Sequence, residues 1–400
     1  MAGPLTGVRV IDMTAVLMGP YATQIMGDMG ADVIKVESFA GDTTRHLGHA
    51  RHPGMGPMFM HLNRSKRGLV LDLKRPAGRA ALLRLAEGAD VLIHSLRARS
   101  MARLDLAYPD LAAVNPRLIY CSVYGYGEGG RYAGKPAYDD LIQGAAAIPT
   151  LYARAGADAP RYAPMAIADR VVGLHALSCV VMALYERERR GRGQAIEVPM
   201  FETMASLVLS DHMYDESFEP PAGGTGYPRL LDPDRRPYPT SDGHICVLCY
   251  TDGHWRKFFA LAGKPELTDD PRFASIETRT KHVVTLNRFL ADALAERQTG
   301  EWLALLAEAD IPAMALHSVE SLRADPHLAD VGLLELVDHP TEGRLRAIGV
   351  PSNWSETSPE ISRQAPRLGG DSTAVLAEAG YSDAEIAALI ADGITLDGRD

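Results

Sequence analysis

The sequence is poor in cysteine, with only Cys121, Cys179, Cys246 and Cys249 among 400 residues. That number is too small for a disulfide framework in a chain of this length. Cys246 and Cys249 have the spacing of half a zinc site, but no second cysteine or histidine pair accompanies them, and a closed zinc site needs four ligands. We therefore interpret them as core cysteines, expect no metal site, and expect a reducing, cytoplasmic environment.

Targeting segments are lacking as well. Residues 1–5 have neither the basic nor the apolar region of a secretory signal, so we expect no signal peptide. No apolar run approaches the roughly 20 residues needed to cross a bilayer. We therefore expect a cytoplasmic protein with no membrane partner.

Positive charge is scarce overall and unevenly distributed. The net charge of −10 argues against nucleic acid as a partner. Between Arg45 and Arg103, however, twelve Lys or Arg accompany three Asp or Glu, a net charge of +9. A basic segment in an acidic protein favours a local anionic ligand, such as a phosphorylated cofactor. A solvated basic face on two helices explains the same count, and composition leaves both explanations open.

Strand-like and helix-like segments alternate in the first half of the chain, which predicts an α/β fold. Predicted helices at 20–29 and 76–86 separate strands at 8–12, 32–37, 68–73, 90–94 and 117–123. This alternation predicts a mostly parallel sheet with helices on both faces and a ligand beyond the carboxyl ends of the strands.

The second half of the chain has a different composition. Residues 219–240 are rich in Pro, Gly and charge, which indicates a linker. Residues 225–325 then predict a smaller α+β unit, with one strand pair near 244–249 and helices at 252–263, 284–296 and 299–309. The tail returns to a strand at 344–350 and a helix at 383–391.

Two glycine-rich motifs near residue 130 match nucleotide-binding patterns only in part. Gly125-Tyr-Gly127-Glu-Gly-Gly130 follows a predicted strand, but Pro136 stops the helix that a dinucleotide fingerprint requires. Residues 129–135 fit the first seven positions of a P-loop. The eighth position must be Ser or Thr and is Pro136, which also lacks an N–H for phosphate. We interpret the segment as a turn whose backbone closely approaches another group.

Asp169 is the most prominent candidate for chemistry. Apolar residues follow it at helical spacing, so we expect it at the N-cap or in the first turn of a helix. An aspartate there is often only a cap. The same position supplies N–H groups and partial positive charge, which would keep a nucleophilic carboxylate ionised. Gly173, on the next turn, would let a ligand or a second backbone approach closely.

Motifs that cover nearly the whole chain place Asp169 in a wider pattern. They lie at 5–12, 19–23, 30–37, 41–45, 62–68, 71–74, 115–121, 136–139, 169–173, 191–197 and 236–243. In this set and order, the sequence resembles the class III CoA-transferase family, which includes formyl-CoA transferases, carnitine CoA-transferases and α-methylacyl-CoA racemases. The number of ordered matches makes the resemblance specific.

The resemblance implies an architecture and a set of partners. It implies an interlocked homodimer whose subunits each have a large Rossmann-like CoA-binding domain, of which 1–220 is the first part. It also implies a small domain at 225–325 and a segment at 330–400 that returns to the large domain. No permanently bound cofactor is implied, because coenzyme A and acyl-CoA are substrates together with small carboxylic acids.

The resemblance also implies roles for individual residues. Asp169 matches the nucleophilic aspartate, which forms a mixed anhydride and then an aspartyl-CoA thioester. The implied contacts to CoA are Leu73, Lys74, Ser95, Leu96, Arg97 and Arg103. The implied candidates for substrate contact or oxyanion stabilisation are Val16, Leu17, Gly125, Gly127, Tyr138 and Asp139.

Two departures from the family's pattern restrict the substrates and the reaction that we expect. Leu17 stands where oxalate-type members have a glutamine, and no run of glycines is obvious before Tyr238, so formate and oxalate are not expected as substrates. Tyr138 stands where the racemase branch has a catalytic histidine, and a phenol with a pKa of ~10 is a poor base at neutral pH. An acyl-CoA racemase therefore ranks behind the transferase. A non-catalytic CoA-binding protein ranks last, because Asp169 is intact within its motif.

Overall fold

A computed structural model describes residues 3–398 of the chain. Met1 and Ala2, on which the expectation of no signal peptide partly rests, lie outside the described residues. The strands are β1 Arg9–Met13, β2 Asp32–Glu37, β3 Lys66–Val70, β4 Val91–His94, β5 Ile119–Tyr124, β6 Gln194–Pro199, β7 Tyr238–Pro239, β8 His244–Val247, β9 Ala313–Ala315, β10 Leu334–His339 and β11 Gly343–Ile348.

Helices surround these strands along the whole chain. They are α1 Met18–Asp28, α2 Pro57–Asn63, α3 Pro76–Glu87, α4 Ala98–Arg103, α5 Tyr108–Val114, α6 Asp139–Ala145, α7 Ile148–Arg154, α8 Ile167–Arg190, α9 Met200–His212, α10 Asp252–Leu261, α11 Ile276–Lys281, α12 Val283–Leu294, α13 Thr299–Glu308, α14 Val319–Arg323, α15 Pro326–Asp330, α16 Ser372–Glu378 and α17 Asp383–Ala391. Short 3₁₀ helices lie at Thr43–His46, Tyr214–Ser217 and Pro265–Asp269.

The central sheet has six parallel strands in the order β3-β2-β1-β4-β5-β6. The α/β class with a parallel sheet is therefore confirmed. Strands such as β4, with the sequence Val-Leu-Ile-His, are buried along their whole length, as expected where helices cover both faces. The strand order reverses between β1 and β4, and a ligand crevice forms at such a switch point.

One core of this sheet combines residues that lie far apart in the sequence. Ile34 and Leu92 of the sheet share a buried apolar cluster with Leu82 of α3 and with Leu376 and Ile386 near the C-terminus. α3 begins with Pro76, whose fixed φ suits a first helical position. The chain thus returns to this core after residue 370.

The chain divides into two compact units. The first unit contains residues 3–146, 162–207 and 327–398, and the second contains 147–161 and 208–326. The second unit has an antiparallel sheet in the order β7-β8-β9. Its core contains Trp302, Phe258 and Phe259, carried by α13 and α10.

Two expectations from the sequence are wrong. Cys246 is exposed rather than in a core, because alternate residues of β8 face opposite sides, whereas Cys249 is buried. The expectation that no apolar run approaches membrane-spanning length is also wrong. α8 is long and apolar enough, by length and composition alone, to cross a bilayer. Charges at its two ends, such as Asp169 and Arg190, obscure the apolar run between them. Core helices pass the same test, and part of α8 is buried within the fold.

Candidate active site

A cavity of about 250 Å³ lies at the switch point of the parallel sheet. Residues 15–18 reach it from the carboxyl end of β1, Ser95 and Arg97 from β4, and residues 123–125 from β5. Residues 135–138, Met200 and Asp169 complete its wall. The ligand position that the strand pattern predicted therefore coincides with a cavity that contains Asp169.

Asp169 is the third residue of α8 and is only 8% exposed. The N-cap of this helix is Ala166, so Asp169 lies in the first turn and does not occupy the cap position. Its carboxylate is therefore almost withdrawn from water, yet it borders the cavity.

The pKa of Asp169 is raised to about 7, mainly by burial and also by the negative charge of Asp139, while Arg170 acts in the opposite direction. The partial positive charge at the helix start therefore does not hold the pKa of this carboxylate at its ordinary value. Desolvation favours the neutral acid more strongly than the N-terminal partial charge favours the anion.

Asp139 is held beside Asp169 by specific hydrogen bonds. The backbone N–H of Asp169 donates to Oδ1 of Asp139 over 2.9 Å. Oδ2 of Asp139 accepts from Nε2 of Gln143 at 2.6 Å, and Oε1 of Gln143 accepts from the N–H of Ala163 at 2.8 Å. Gln143 is fully buried. It therefore links α6 to the segment that leads into α8.

Gly173 sets how closely α1 and α8 approach. A Cβ at this position would lie 2.6 Å from the carbonyl oxygen of Met18 and 3.3 Å from the ring of Tyr21. Arg170, one turn earlier on α8, lies over the same ring at 4.4 Å. The close approach that Gly173 predicted is therefore to the backbone of α1, which begins at the cavity.

Val16 adopts a left-handed conformation, with φ of +69°. A β-branched residue in this region is a genuine outlier. Its N–H donates to both carboxylate oxygens of buried Asp42, each at 3.2 Å. Because this N–H is engaged away from the cavity, Val16 is not an available oxyanion donor, although its side chain contributes to the wall.

A second proposed donor is also occupied. The N–H of Gly127 donates to Oε1 of Glu202 at 3.0 Å, and Gly127 does not line the cavity. Gly125 does line it and packs closely on Ala137. Among the described residues, the N–H groups of Leu17 and Met18 have no hydrogen-bond partner, as the start of a helix leaves them. Both residues border the cavity.

The other predicted site residues divide into two groups. Ser95, Arg97, Leu17 and Tyr138 line the cavity, and Tyr138 is 68% exposed. Leu73, Lys74, Leu96 and Arg103 do not, but they lie on the loops and the short helix that follow β3 and β4. Arg79 connects the loop after β3 to the end of α4. Its guanidinium donates to the carbonyl oxygens of Leu73 and Lys74 and lies 3.9 Å from the carboxylate of Asp105.

Much of the basic segment is neutralised inside the protein. Arg45 pairs with Glu37, Arg64 with Asp28, Lys66 with Asp12, and Arg67 with Asp32, and the first three pairs are almost fully buried. Lys74, Arg97 and Arg103 form no ion pair within residues 3–398. The charge count therefore mixed structural pairs with cations that remain available to a ligand.

Sequence reasoning missed several residues around the site. Lys135 lines the cavity and was seen only as part of a failed P-loop pattern. Gln143 lies four residues after Asp139, a spacing that places both on one face of a helix and could have indicated the contact. No comparable local signal pointed to Asp42, whose contact with Val16 spans 26 residues.

Comparison with known proteins agrees with this geometry. The sequence profile of CoA-transferase family III matches residues 5–372. A succinate–glutarate CoA-transferase of Agrobacterium fabrum is 32% identical, with 94% of this chain and 95% of that protein aligned. A succinyl-CoA:mesaconate CoA-transferase of Haloarcula hispanica is 31% identical over 94% and 97% of the two chains.

Solved structures give the same assignment. The crystal structure of a CAIB/BAIF family protein from Brucella suis is 30% identical, with a TM-score of 0.79 over 95% of this chain and 100% of that one. The chain therefore belongs to CoA-transferase family III, and it is an enzyme that transfers coenzyme A.

Proposed function

We propose that this enzyme exchanges CoA between an acyl-CoA and a carboxylic acid through a covalent bond to Asp169. The observation that supports the proposal most directly is the position of the Asp169 carboxylate. It is nearly buried, yet it borders a cavity at the switch point of the sheet. A carboxylate shielded from water is a more reactive nucleophile, and its acyl derivatives are protected from hydrolysis.

The reaction has four steps, and each displaces one group. The Asp169 carboxylate attacks the donor thioester carbonyl and expels CoA thiolate, which leaves a mixed anhydride. The thiolate attacks the aspartyl carbonyl, releases the donor acid, and forms an aspartyl-CoA thioester. The acceptor carboxylate attacks that thioester and again expels the thiolate. Attack of the thiolate on the acceptor acyl carbon releases the new acyl-CoA and restores Asp169.

Each attack forms a tetrahedral oxyanion that needs hydrogen-bond donors. The N–H groups of Leu17 and Met18 are the best candidates, since both residues border the cavity at the start of α1 and neither N–H is otherwise engaged in the described residues. A helix start also supplies partial positive charge. Among the candidates that the sequence gave for this role, we therefore favour Leu17, together with its neighbour Met18, over Val16 and Gly127.

The CoA phosphates are assigned to the cations without internal partners. Lys74, Arg97 and Arg103 follow strands of the sheet on the same side as the cavity. Arg97 also borders the cavity itself. Cations without internal partners suit phosphate groups, which they bind through charge-assisted hydrogen bonds.

We propose dicarboxylates as the acids exchanged. The two relatives compared above are named for succinate with glutarate and for succinyl-CoA with mesaconate. Lys135 lines the cavity and is not among the cations assigned to the phosphates, so it is available for the second carboxylate while the first reacts. Racemisation remains less favoured, because Tyr138 at the position of the second base is a phenol.

We also propose a cytoplasmic homodimer. Leu174, Val181, Met182 and Tyr185 form one exposed apolar face of α8, with exposures from 40% to 68%. An apolar helix face of this kind suits burial against a second copy of the chain. A dimer interface would also explain why α8 resembles a membrane segment in composition. The four cysteines are free thiols, which suits a reducing compartment.

A direct experiment combines substrate exchange with trapping of the intermediate. Succinyl-CoA is incubated with glutarate, mesaconate, oxalate or acetate, and the CoA products are identified by mass spectrometry. Intact protein from the same reactions should gain the mass of CoA less one water, as expected for a thioester at Asp169. The Asp169→Asn variant should give neither product nor adduct. Product formation by that variant would refute the nucleophile, and exchange with acetate alone would refute the dicarboxylate assignment.

A further inference from the structure

We propose that Asp42 is a positioning residue that holds the strained turn at Val16 and so presents the amides of Leu17 and Met18 to the reacting carbonyl. The inference rests on the proposed function for the role of these amides. Asp42 itself does not line the cavity. It acts through the backbone of Val16, which does.

The Val16 N–H is shared between the two oxygens of the Asp42 carboxylate, which is itself buried. The Val16 N–H lies 3.2 Å from each oxygen of the carboxylate, and the Asp42 side chain is 1% exposed. Oδ1 of Asp42 also accepts from the N–H and the hydroxyl of Thr44, at 2.9 and 2.8 Å. Thr44 therefore fixes the orientation of the Asp42 carboxylate independently of its contact with Val16.

A buried lysine fixes the same turn from its other end. Nζ of Lys35 lies 3.0 Å from Oδ2 of Asp42 and 3.0 Å from the carbonyl oxygen of Thr14. Lys35 is fully buried. Thr14 is held in turn by Asp12, which accepts from its N–H at 2.9 Å and its hydroxyl at 2.5 Å. Thr14 is thus hydrogen-bonded to buried Lys35 and Asp12, as Val16 is to buried Asp42.

This arrangement explains why a β-branched residue stays at a positive φ. Backbone strain persists only where surrounding contacts over-determine it, and such strain is concentrated at functional sites. With the Val16 N–H turned to Asp42, the next amides along the chain are the ones left for a ligand. A buried ion pair placed directly behind a reactive turn therefore suits preorganisation, in which donors are fixed before charge develops.

The experiment separates this role from ordinary support of the fold. Asp42→Asn should lower kcat for the succinyl-CoA and glutarate pair by about 10- to 100-fold, with KM for succinyl-CoA changed by less than about 3-fold. Val16→Gly in the Asp42→Asn background should recover at least about 5-fold of that kcat, because glycine adopts the turn without help from a carboxylate. Val16→Ala should recover none, since it removes the same methyl groups but keeps a Cβ.

Asp28→Asn is the matched control. Asp28 also forms a buried ion pair in this unit, with Arg64, but lies outside the cavity. Its variant should lower stability and leave kcat within about 2-fold of the wild type. If Asp28→Asn lowers kcat as much as Asp42→Asn, or if the glycine gives no more recovery than the alanine, Asp42 only supports the fold.

Two further outcomes test the role of Asp42 without a measurement of enzyme turnover. Amide hydrogen exchange in the peptide that covers residues 14–19 should be faster by about 10-fold or more in Asp42→Asn and unchanged in Asp28→Asn. This readout does not depend on the substrate pair, so an inactive wild type would refute the proposed dicarboxylates and leave this inference to the exchange data. If Asp42→Asn fails to fold and Val16→Gly does not restore folding, the positioning role is refuted.

Discussion

The backbone N–H of Asp169 donates a hydrogen bond of 2.9 Å to the carboxylate of Asp139, so two acidic residues from different helices lie side by side, and Asp169 borders the cavity. Burial and the charge of Asp139 together raise the pKa of Asp169 to about 7. A carboxylate with this pKa is partly ionised at neutral pH and more basic than an ordinary aspartate. Small changes at Asp139 should therefore alter the pH dependence of the reaction.

The substitution Asp139→Asn should move the acid limb of the pH profile of kcat/KM, which reports groups of the free enzyme, to lower pH. It removes a negative charge beside Asp169 but keeps an oxygen that accepts from the Asp169 N–H, so the anion of Asp169 becomes easier to form. We expect a displacement of about 1 pH unit, measured from about pH 5 to about pH 9. Asp140→Asn, which alters the exposed neighbour on α6, is the control and should leave the limb in place. An unmoved limb in Asp139→Asn would mean that another group titrates.

The substitution Asp169→Asn should stabilise the protein above neutral pH while it abolishes transfer. The folded-state pKa of about 7 lies above the ordinary value of 3.8, so the wild type loses stability as pH rises through that window. Asparagine carries no charge to bury. We expect a gain of up to ~4 kcal/mol in the free energy of unfolding at pH ~8.

The gain should disappear at pH ~4, where Asp169 is protonated in the folded protein. Urea denaturation of both proteins at the two pH values measures it. Equal stability at the higher pH would show that Asp169 is not destabilised by ionisation.

The fold was largely predictable because its signals are local. The predicted strand at 32–37 and helix at 383–391 match β2 and α17, and the strand pattern of the first half gives a parallel sheet. β6 was missed because its sequence, Gln-Ala-Ile-Glu-Val-Pro, has neither the continuous apolar run of the buried strands nor a strict alternation of polar and apolar residues. The third strand of the small sheet, β9, has only three residues and carries no periodicity that could be read.

The sequence singled out Asp169, which the structure places at the cavity, but it did not indicate the electrostatics around this residue. The raised pKa of Asp169 depends first on its burial and then on Asp139, thirty residues earlier, and neither could be seen in its motif. Arg45 and Lys66 counted toward a ligand site, although Glu37 and Asp12 neutralise them within the core. Such pairings depend on which strands become neighbours, and a count of charges along the chain cannot contain that information.

The substitution Gly173→Ala should impair both stability and turnover. Its Cβ would lie 2.6 Å from the carbonyl oxygen of Met18, a backbone atom that cannot move without displacing the start of α1. We expect a loss of about 1–3 kcal/mol in unfolding free energy and a lower kcat, because Met18 and its N-cap Leu17 belong to the cavity wall. Gly144→Ala is the control, since no atom lies within 4 Å of the new Cβ. It should be neutral or stabilising, and equal losses in the two variants would contradict the proposed contact.

The substitutions Arg97→Ala and Arg103→Ala should weaken CoA binding in a salt-dependent manner. Neither guanidinium forms an ion pair within residues 3–398, so each remains available to a phosphate group. At low ionic strength we expect Kd for CoA, measured by titration calorimetry, to rise by about 5- to 10-fold in each variant. The difference from the wild type should shrink as salt screens the interaction. Arg117→Ala is the matched control, because Arg117 is an exposed arginine near the amino end of β5, where it pairs with Glu188. A salt dependence in either variant that is parallel to that of the wild type would remove that arginine from the CoA site.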